Sequence, residues 1–230
     1  MAAEPARPVV VLLPSTLLGP AVWGPVAADL RRRGHEVLVP PTYLGVQSPE
    51  DVLVQLRREV PADRPVALVP HSNAGLYVAA VAAERAVAAI VFVDATLPSD
   101  DPATATAPPE LREHLASLVE PDGLLPRWTH WWPEDEVAAL FPDAATRAAV
   151  EAEQSRLPAA YFDAAVPSPS GWQAVPAAYL AFGETYGPER AEAERRGWPT
   201  RTLDGGHLHM LVDPEGVTDV LVGLLDELVS

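Results

Sequence analysis

The 230-residue sequence contains no cysteine. A disulfide framework and a thiolate nucleophile are both excluded. Lysine is absent too: all 16 basic residues are arginine, which excludes Schiff-base chemistry through a lysine amine. Positive charge is scarce against 32 Asp and Glu, and the formal net charge is −16. That balance argues against nucleic acid or an anionic membrane surface as a partner, and its plain meaning is solubility. No apolar run reaches membrane length, and the N-terminus lacks the long apolar segment of an export signal. The expectation is a soluble cytoplasmic protein. There are no internal repeats and no low-complexity tail. The 48% hydrophobic share is ample for a core, and the length suits one domain carrying an insertion.

The first hundred residues alternate between two patterns. Residues 8–13, 36–39 and 88–94, and the run from Pro65 that feeds Ser72, are short β-branched and apolar runs, the mark of strands buried in a parallel sheet. Between them lie segments of helical spacing. One runs from Trp23 to Arg33 and stops at Gly34. Another is capped by Ser48, with Pro49 in its first position, and reaches about Val60. A third runs from Asn73 to about Arg85. From Pro98 to Trp172 no strand-like run occurs. Pro-rich joints there separate helix-like segments near 110–119, 134–140 and 144–156. Strand alternation resumes at 176–182, with a helix over 188–196 and a short strand over 200–203. Residues 205–210 read as a loop, and a last helix runs from Pro214 to Val229. The expected fold is α/β: a doubly wound, mostly parallel sheet of about six strands with helices on both faces. Residues 1–97 and 173–230 form its core, and 98–172 form a helical cap inserted once after the fourth strand.

The run Val66-Ala67-Leu68-Val69-Pro70-His71-Ser72-Asn73-Ala74-Gly75 passes from a buried strand into a small-residue helix, with a serine at the turn. This geometry would expose the Ser72 hydroxyl and aim the first N–H groups of the helix at the same point. The stretch resembles the nucleophile elbow of the α/β-hydrolase family, G-x-S-x-G. Ala74 departs mildly from that pattern. Pro70 departs more, because it fixes φ and removes a backbone donor where the family has glycine. The histidine loop of the family is matched by Gly206-His207, with Pro214 seven residues beyond His207. The resemblance covers nearly the whole chain, which begins directly at the strand leading to the oxyanion loop.

The resemblance implies a serine nucleophile, Ser72, activated by His207, with His209 packed or exposed nearby. An acid must orient the imidazole. Asp94, ending the fourth strand, is favoured over Glu184. The position where the family usually carries an Asp is Tyr186 here. The oxyanion donors implied are the amides of Asn73 and Thr16; Pro14-Ser15 replaces the His-Gly of the family. Trp128, Trp131 and Trp132, in an unusually Trp-dense stretch with His130, are either an aromatic substrate wall or cap packing. Met210 and Leu208 are expected on the pocket floor. The leading expectation is hydrolysis of an ester, thioester or lactone of a small-molecule acyl substrate, with no cofactor and no metal. A lyase or cyclase step on the same fold is the alternative, and a degenerate ligand-binding member is the third.

Overall fold

A computed structural model describes residues 7–229. Six strands form one sheet, with every neighbouring pair parallel. In chain order they are β1 (Val9–Leu13), β2 (Val37–Leu38), β3 (Val66–Ser72), β4 (Val87–Ala95), β7 (Ala177–Phe182) and β8 (Thr200–Leu203). Two further strands, β5 (Ala103–Ala105) and β6 (Ala165–Pro167), pair with each other outside that sheet. The helices are α1 (Gly24–Arg32), α2 (Pro49–Glu59), α3 (Val78–Ala82), α4 (Pro109–Leu118), α5 (Glu134–Ala138), α6 (Ala144–Glu153), α7 (Gly187–Arg195), α8 (His209–Val212) and α9 (Pro214–Val229). Among the described residues no helix is long and apolar enough to cross a membrane.

The strand order is β2-β1-β3-β4-β7-β8. Side-chain alternation along each strand divides the core into two layers. Val9, Val11, Leu13, Val66, Leu68, Ile90 and Phe92 face one layer, with Val52, Leu53 and Leu56 of α2. Val10, Leu12, Ala67, Val69, Val91 and Val93 face the other, with Val26 and Leu30 of α1 and Leu221 and Leu224 of α9. Burial on both faces is why the central strands read as unbroken apolar runs. The edge strand β2 is only two residues long, shorter than the predicted 36–39, and stops before Pro40-Pro41.

Several helices begin where the sequence predicts. Ser48 caps α2 with a reciprocal capping box through Asp51, and α9 spans Pro214–Val229. Three features differ. The helix after Ser72 is shorter than predicted: a 3-10 turn over Asn73–Tyr77 precedes α3. Residues 209–212 form the short helix α8, where a loop was predicted. The segment after β4 contains strands after all, because β5 and β6 pair antiparallel, with Ala103 opposite Pro167. The strands, Ala103-Thr104-Ala105 and Ala165-Val166-Pro167, are too short for an alternation to be read, yet they bring the two ends of this segment together.

The chain places β2 on one side of β1 and β3 on the other, so the connections reverse direction between β1 and β3. Crevices at the carboxyl ends of strands around such a reversal are the ligand sites of open α/β sheets. Gly75 makes the close packing there possible. A Cβ on Gly75 would lie 1.9 Å from the backbone oxygen of Thr96. Gly75→Ala is therefore expected to destabilise the fold by about 1–3 kcal/mol or more, read as a lower urea midpoint. An unchanged midpoint would show that the approach of the elbow to the end of β4 is not tight.

Candidate active site

Ser72 is the last residue of β3, and its backbone is at φ 57°, ψ −133°. Among the described residues only Ser72 and Asp94 are non-glycine residues at positive φ. Such conformations cost on the order of 1–3 kcal/mol each and persist only where the surroundings impose them. Pro70 does not disrupt the strand: it stays in register with Leu13 of β1. The β3–β4 register shifts between His71 and Ser72, where the turn begins. His71 is buried and donates from Nε2 to the His207 carbonyl at 2.9 Å. Its Nδ1 is therefore the unprotonated atom. Burial, followed by the nearby His207, holds its pKa well below the usual histidine range.

His207 and Asp94 form the central pair. Nδ1 of His207 lies 2.6 Å from Oδ2 of Asp94. A carboxylate only accepts, so Nδ1 carries the proton and Nε2 of the neutral ring keeps its lone pair. Asp94 is fully buried, and its second oxygen accepts from the Phe182 amide at 3.1 Å. Glu184, the competing acid, is largely exposed and pairs with Arg190. His209 opens α8 and packs edge-on against Phe182, 5.5 Å between ring centroids.

Tyr186 is the neighbour for which the sequence expectation had no role. Its hydroxyl lies 3.2 Å from Ser72 Oγ, and its ring centroid is 5.5 Å from that of His207. The Ser72 hydroxyl thus pairs with Tyr186 rather than with His207. Burial pushes the Tyr186 phenol up to about 12, so it is neutral at ordinary pH. The signal for this contact was its position, where the resemblance implied an acid.

The predicted oxyanion donors are adjacent but not both free. Asn73 opens the 3-10 turn, so its N–H has no partner within that turn. The Thr16 amide instead donates to Oδ1 of Asn73 at 3.0 Å. Ser15 Oγ donates to the same oxygen at 2.8 Å, and Asn73 Nδ2 donates to Thr16 Oγ1 at 2.7 Å.

Ser72, Asn73, Tyr186 and His207 all line a cavity of about 1070 Å³. Trp128, Trp131 and Trp132 line it as well. The first lies 6.1 Å from the His207 ring, Trp131 hydrogen-bonds the Pro126 carbonyl, and Trp132 stacks on His114. Met210 corrects the expectation: it is fully buried in the α1–α9 core layer with Leu208, and neither lines the cavity. The turn into α8 packs both side chains into the layer of α1 and α9 rather than on the cavity wall. Arg112, Glu136 and Glu189 are the charged residues of the lining. Burial, then the charge of Asp94, raises the Glu189 carboxyl above its ordinary value. Among the described residues, no three His, Asp or Glu side chains are grouped to hold a metal ion.

No family model matches the sequence, and neither does any curated protein. Solved structures do match. An extracellular alpha/beta-hydrolase from a Paenibacillus species, described as sharing structural and functional homology with tobacco salicylic acid binding protein 2, is 19% identical with a TM-score of 0.70, covering 94% of this chain and 99% of its own. The pyrethroid hydrolase PytH is 17% identical with a TM-score of 0.67, over 98% and 100% of the two chains. Tomato methylketone synthase I, as a variant complexed with beta-ketoheptanoate, is 16% identical with a TM-score of 0.63, over 96% and 99%. At such identities the likeness is one of architecture. The neighbours include hydrolases and a synthase, so the reaction has to be argued from the site.

The pairing of His207 with Asp94 makes a direct spectroscopic prediction. Ring ¹⁵N shifts of His207 should report the Nδ1–H tautomer in the native protein, a changed tautomer population in Asp94→Asn, and no change in Glu184→Gln. A response to the Glu184 variant, with none to Asp94→Asn, would assign the partner wrongly.

Proposed function

We propose that this chain, which has the α/β-hydrolase fold, is a serine hydrolase that cleaves a carboxylic ester, thioester or lactone of a small-molecule substrate through an acyl-enzyme on Ser72. One observation carries the reading. A strained serine at a strand-to-helix turn shares a cavity with a histidine whose far nitrogen is fixed by a fully buried carboxylate.

Ser72 Oγ attacks the substrate carbonyl carbon while its proton passes to Nε2 of His207. Asp94 holds the tautomer that leaves Nε2 basic and stabilises the imidazolium once it forms. The C–O or C–S bond of the tetrahedral intermediate breaks, and the leaving group takes the proton from Nε2. A water then attacks the acyl-enzyme, giving its proton to Nε2, and the acid product departs as Ser72 regains its hydrogen. Tyr186 stays a neutral phenol beside Oγ throughout and positions it before the attack. The Asn73 amide faces the developing oxyanion. No metal or cofactor enters these steps.

Segment 98–172, closed at its base by β5 and β6, serves as the cap over a core that, among the described residues, spans 7–97 and 173–229. The tryptophans it contributes make the cavity wall apolar and aromatic, suited to an acyl chain or ring, and the cavity is large enough for a drug-sized molecule. A second reading is favoured by a specific observation. With the Thr16 amide engaged by Asn73, the site has fewer free oxyanion donors than an efficient esterase. A lyase or cyclase step would use Ser72 and His207 for proton transfer alone.

Ser72→Ala is expected to reduce hydrolysis of an activated aryl ester to background while the melting temperature holds. Asp94→Asn should lower kcat by roughly 10⁴, the loss seen when a triad histidine is held in the wrong tautomer. His207→Ala should cost far more activity than His209→Ala. Wild-type turnover in Ser72→Ala would rule out the acyl-enzyme, and equal losses at the two histidines would mean that the base is misassigned.

A further inference from the structure

Behind the cavity wall at Asn73 lies an arrangement that the proposed reaction does not require. The loop after β1 meets the elbow at the point where the sheet reverses direction, and the Asn73 side chain bridges the two. Oδ1 of Asn73 accepts from the Thr16 amide at 3.0 Å and from Ser15 Oγ at 2.8 Å. A backbone N–H can only donate, so the atom facing Thr16 is the amide oxygen and the orientation of Asn73 is fixed. Its Nδ2 then donates to Thr16 Oγ1 at 2.7 Å. Thr16 Oγ1 lies 3.2 Å from the Tyr161 hydroxyl, which in turn contacts that of Tyr77. Ser15 Oγ also accepts from the Leu17 amide at 3.2 Å. Ser15, Thr16, Asn73, Tyr77 and Tyr161 are all buried. The Asn73 side chain is thus held by three hydrogen bonds to Ser15 and Thr16.

We infer that the Asn73 side chain blocks the second oxyanion donor, so that the site hydrolyses esters more slowly than its nucleophile and base permit, and that shortening this one side chain releases it. The inference rests on the hydrolase reading above. An amide N–H carries one proton. While that proton is bonded to Asn73, the Thr16 N–H cannot also bond a substrate oxyanion. The blocking atom is itself a carbonyl oxygen, which repels negative charge arriving beside it. Loss of a single oxyanion donor lowers kcat by about 10²–10³ in serine hydrolysis, and release of a blocked donor should recover part of that factor. Asn73 thereby acts through Thr16, as a positioning residue that sets the rate. The buried network loses partners when Asn73 is removed, so the faster variant should also be the less stable one.

The test is steady-state hydrolysis of p-nitrophenyl acetate by the native chain, Asn73→Ala, Asn73→Leu, Asn73→Asp and Ser72→Ala, with melting temperatures for each. Asn73→Ala and Asn73→Leu are expected to raise kcat, by on the order of 10–100-fold, with KM little changed. Their melting temperatures should be lower. Asn73→Leu keeps the branched shape of the side chain without its polar atoms and carries the comparison if Asn73→Ala does not fold. Asn73→Asp keeps an acceptor on Thr16 and adds a charge beside the developing oxyanion, so its kcat should fall below that of the native chain. General loosening of the loop would move all three variants the same way. If native turnover depends on Ser72 but Asn73→Ala and Asn73→Leu are no faster, the blocking role is overturned while the hydrolase reading stands. If neither the native chain nor these two variants shows Ser72-dependent turnover, the hydrolase reading fails and takes the inference with it.

Discussion

The site depends on one buried contact, that between Asp94 and His207. A carboxylate with no exposed surface is costly unless its oxygens are satisfied. Here one oxygen meets the imidazole and the other the Phe182 amide. Both partners lie beyond β4 in sequence, on elements that the chain reaches only after the inserted segment. The sheet order brings them back, because β7 pairs directly with β4. Asp94 itself sits at φ 42°, a conformation that its neighbours must enforce. The hydroxyl of Tyr179 contributes by bracketing the next residue: it accepts from the Ala95 amide at 3.0 Å and donates to the Ala95 carbonyl at 2.8 Å.

The same region holds Ser72. Ser72 and Ala95 are paired across β3 and β4, and the Thr96 amide donates to the Ser72 carbonyl at 3.2 Å. Gly75 then lets the elbow approach Thr96 at a distance no side chain would allow. The two strained residues are therefore held at neighbouring strand ends by one packing arrangement. His71 completes it from below. Its ring lies 4.5 Å from that of His207, and its hydrogen bond holds the His207 backbone. Moving any of these pieces shifts the distance between Ser72 and His207.

Much of this was readable from residue patterns, for a physical reason. Strands β1, β3, β4 and β7 are covered on both faces and must be apolar throughout, so they stand out. The capping box of Ser48 and the proline opening α9 are local signals, and the structure places both helices where those signals fall. Asp94 could be preferred to Glu184 because a short side chain at a strand end is confined; Asp94 is the carboxylate beside His207, and Glu184 pairs with Arg190. What escaped was decided by contacts distant in sequence or by short turns. Tyr186 reaches Ser72 across 114 positions. Strands β5 and β6 are three residues each, and the partner of each lies at the far end of the inserted segment. Met210 was expected at the cavity, but the turn of α8 sends it into the core. Thr16 was expected to present its amide, and the sequence carries no sign that the Asn73 side chain bonds it first.

The central claim is that Ser72 is a nucleophile driven by the His207–Asp94 pair. Intact-mass spectrometry with peptide mapping after exposure to a fluorophosphonate probe tests it most directly. The account predicts a single adduct on Ser72, formed much more slowly in Asp94→Asn and absent in His207→Ala. An adduct on another residue, or equal labelling of Ser72 in all three proteins, would contradict it.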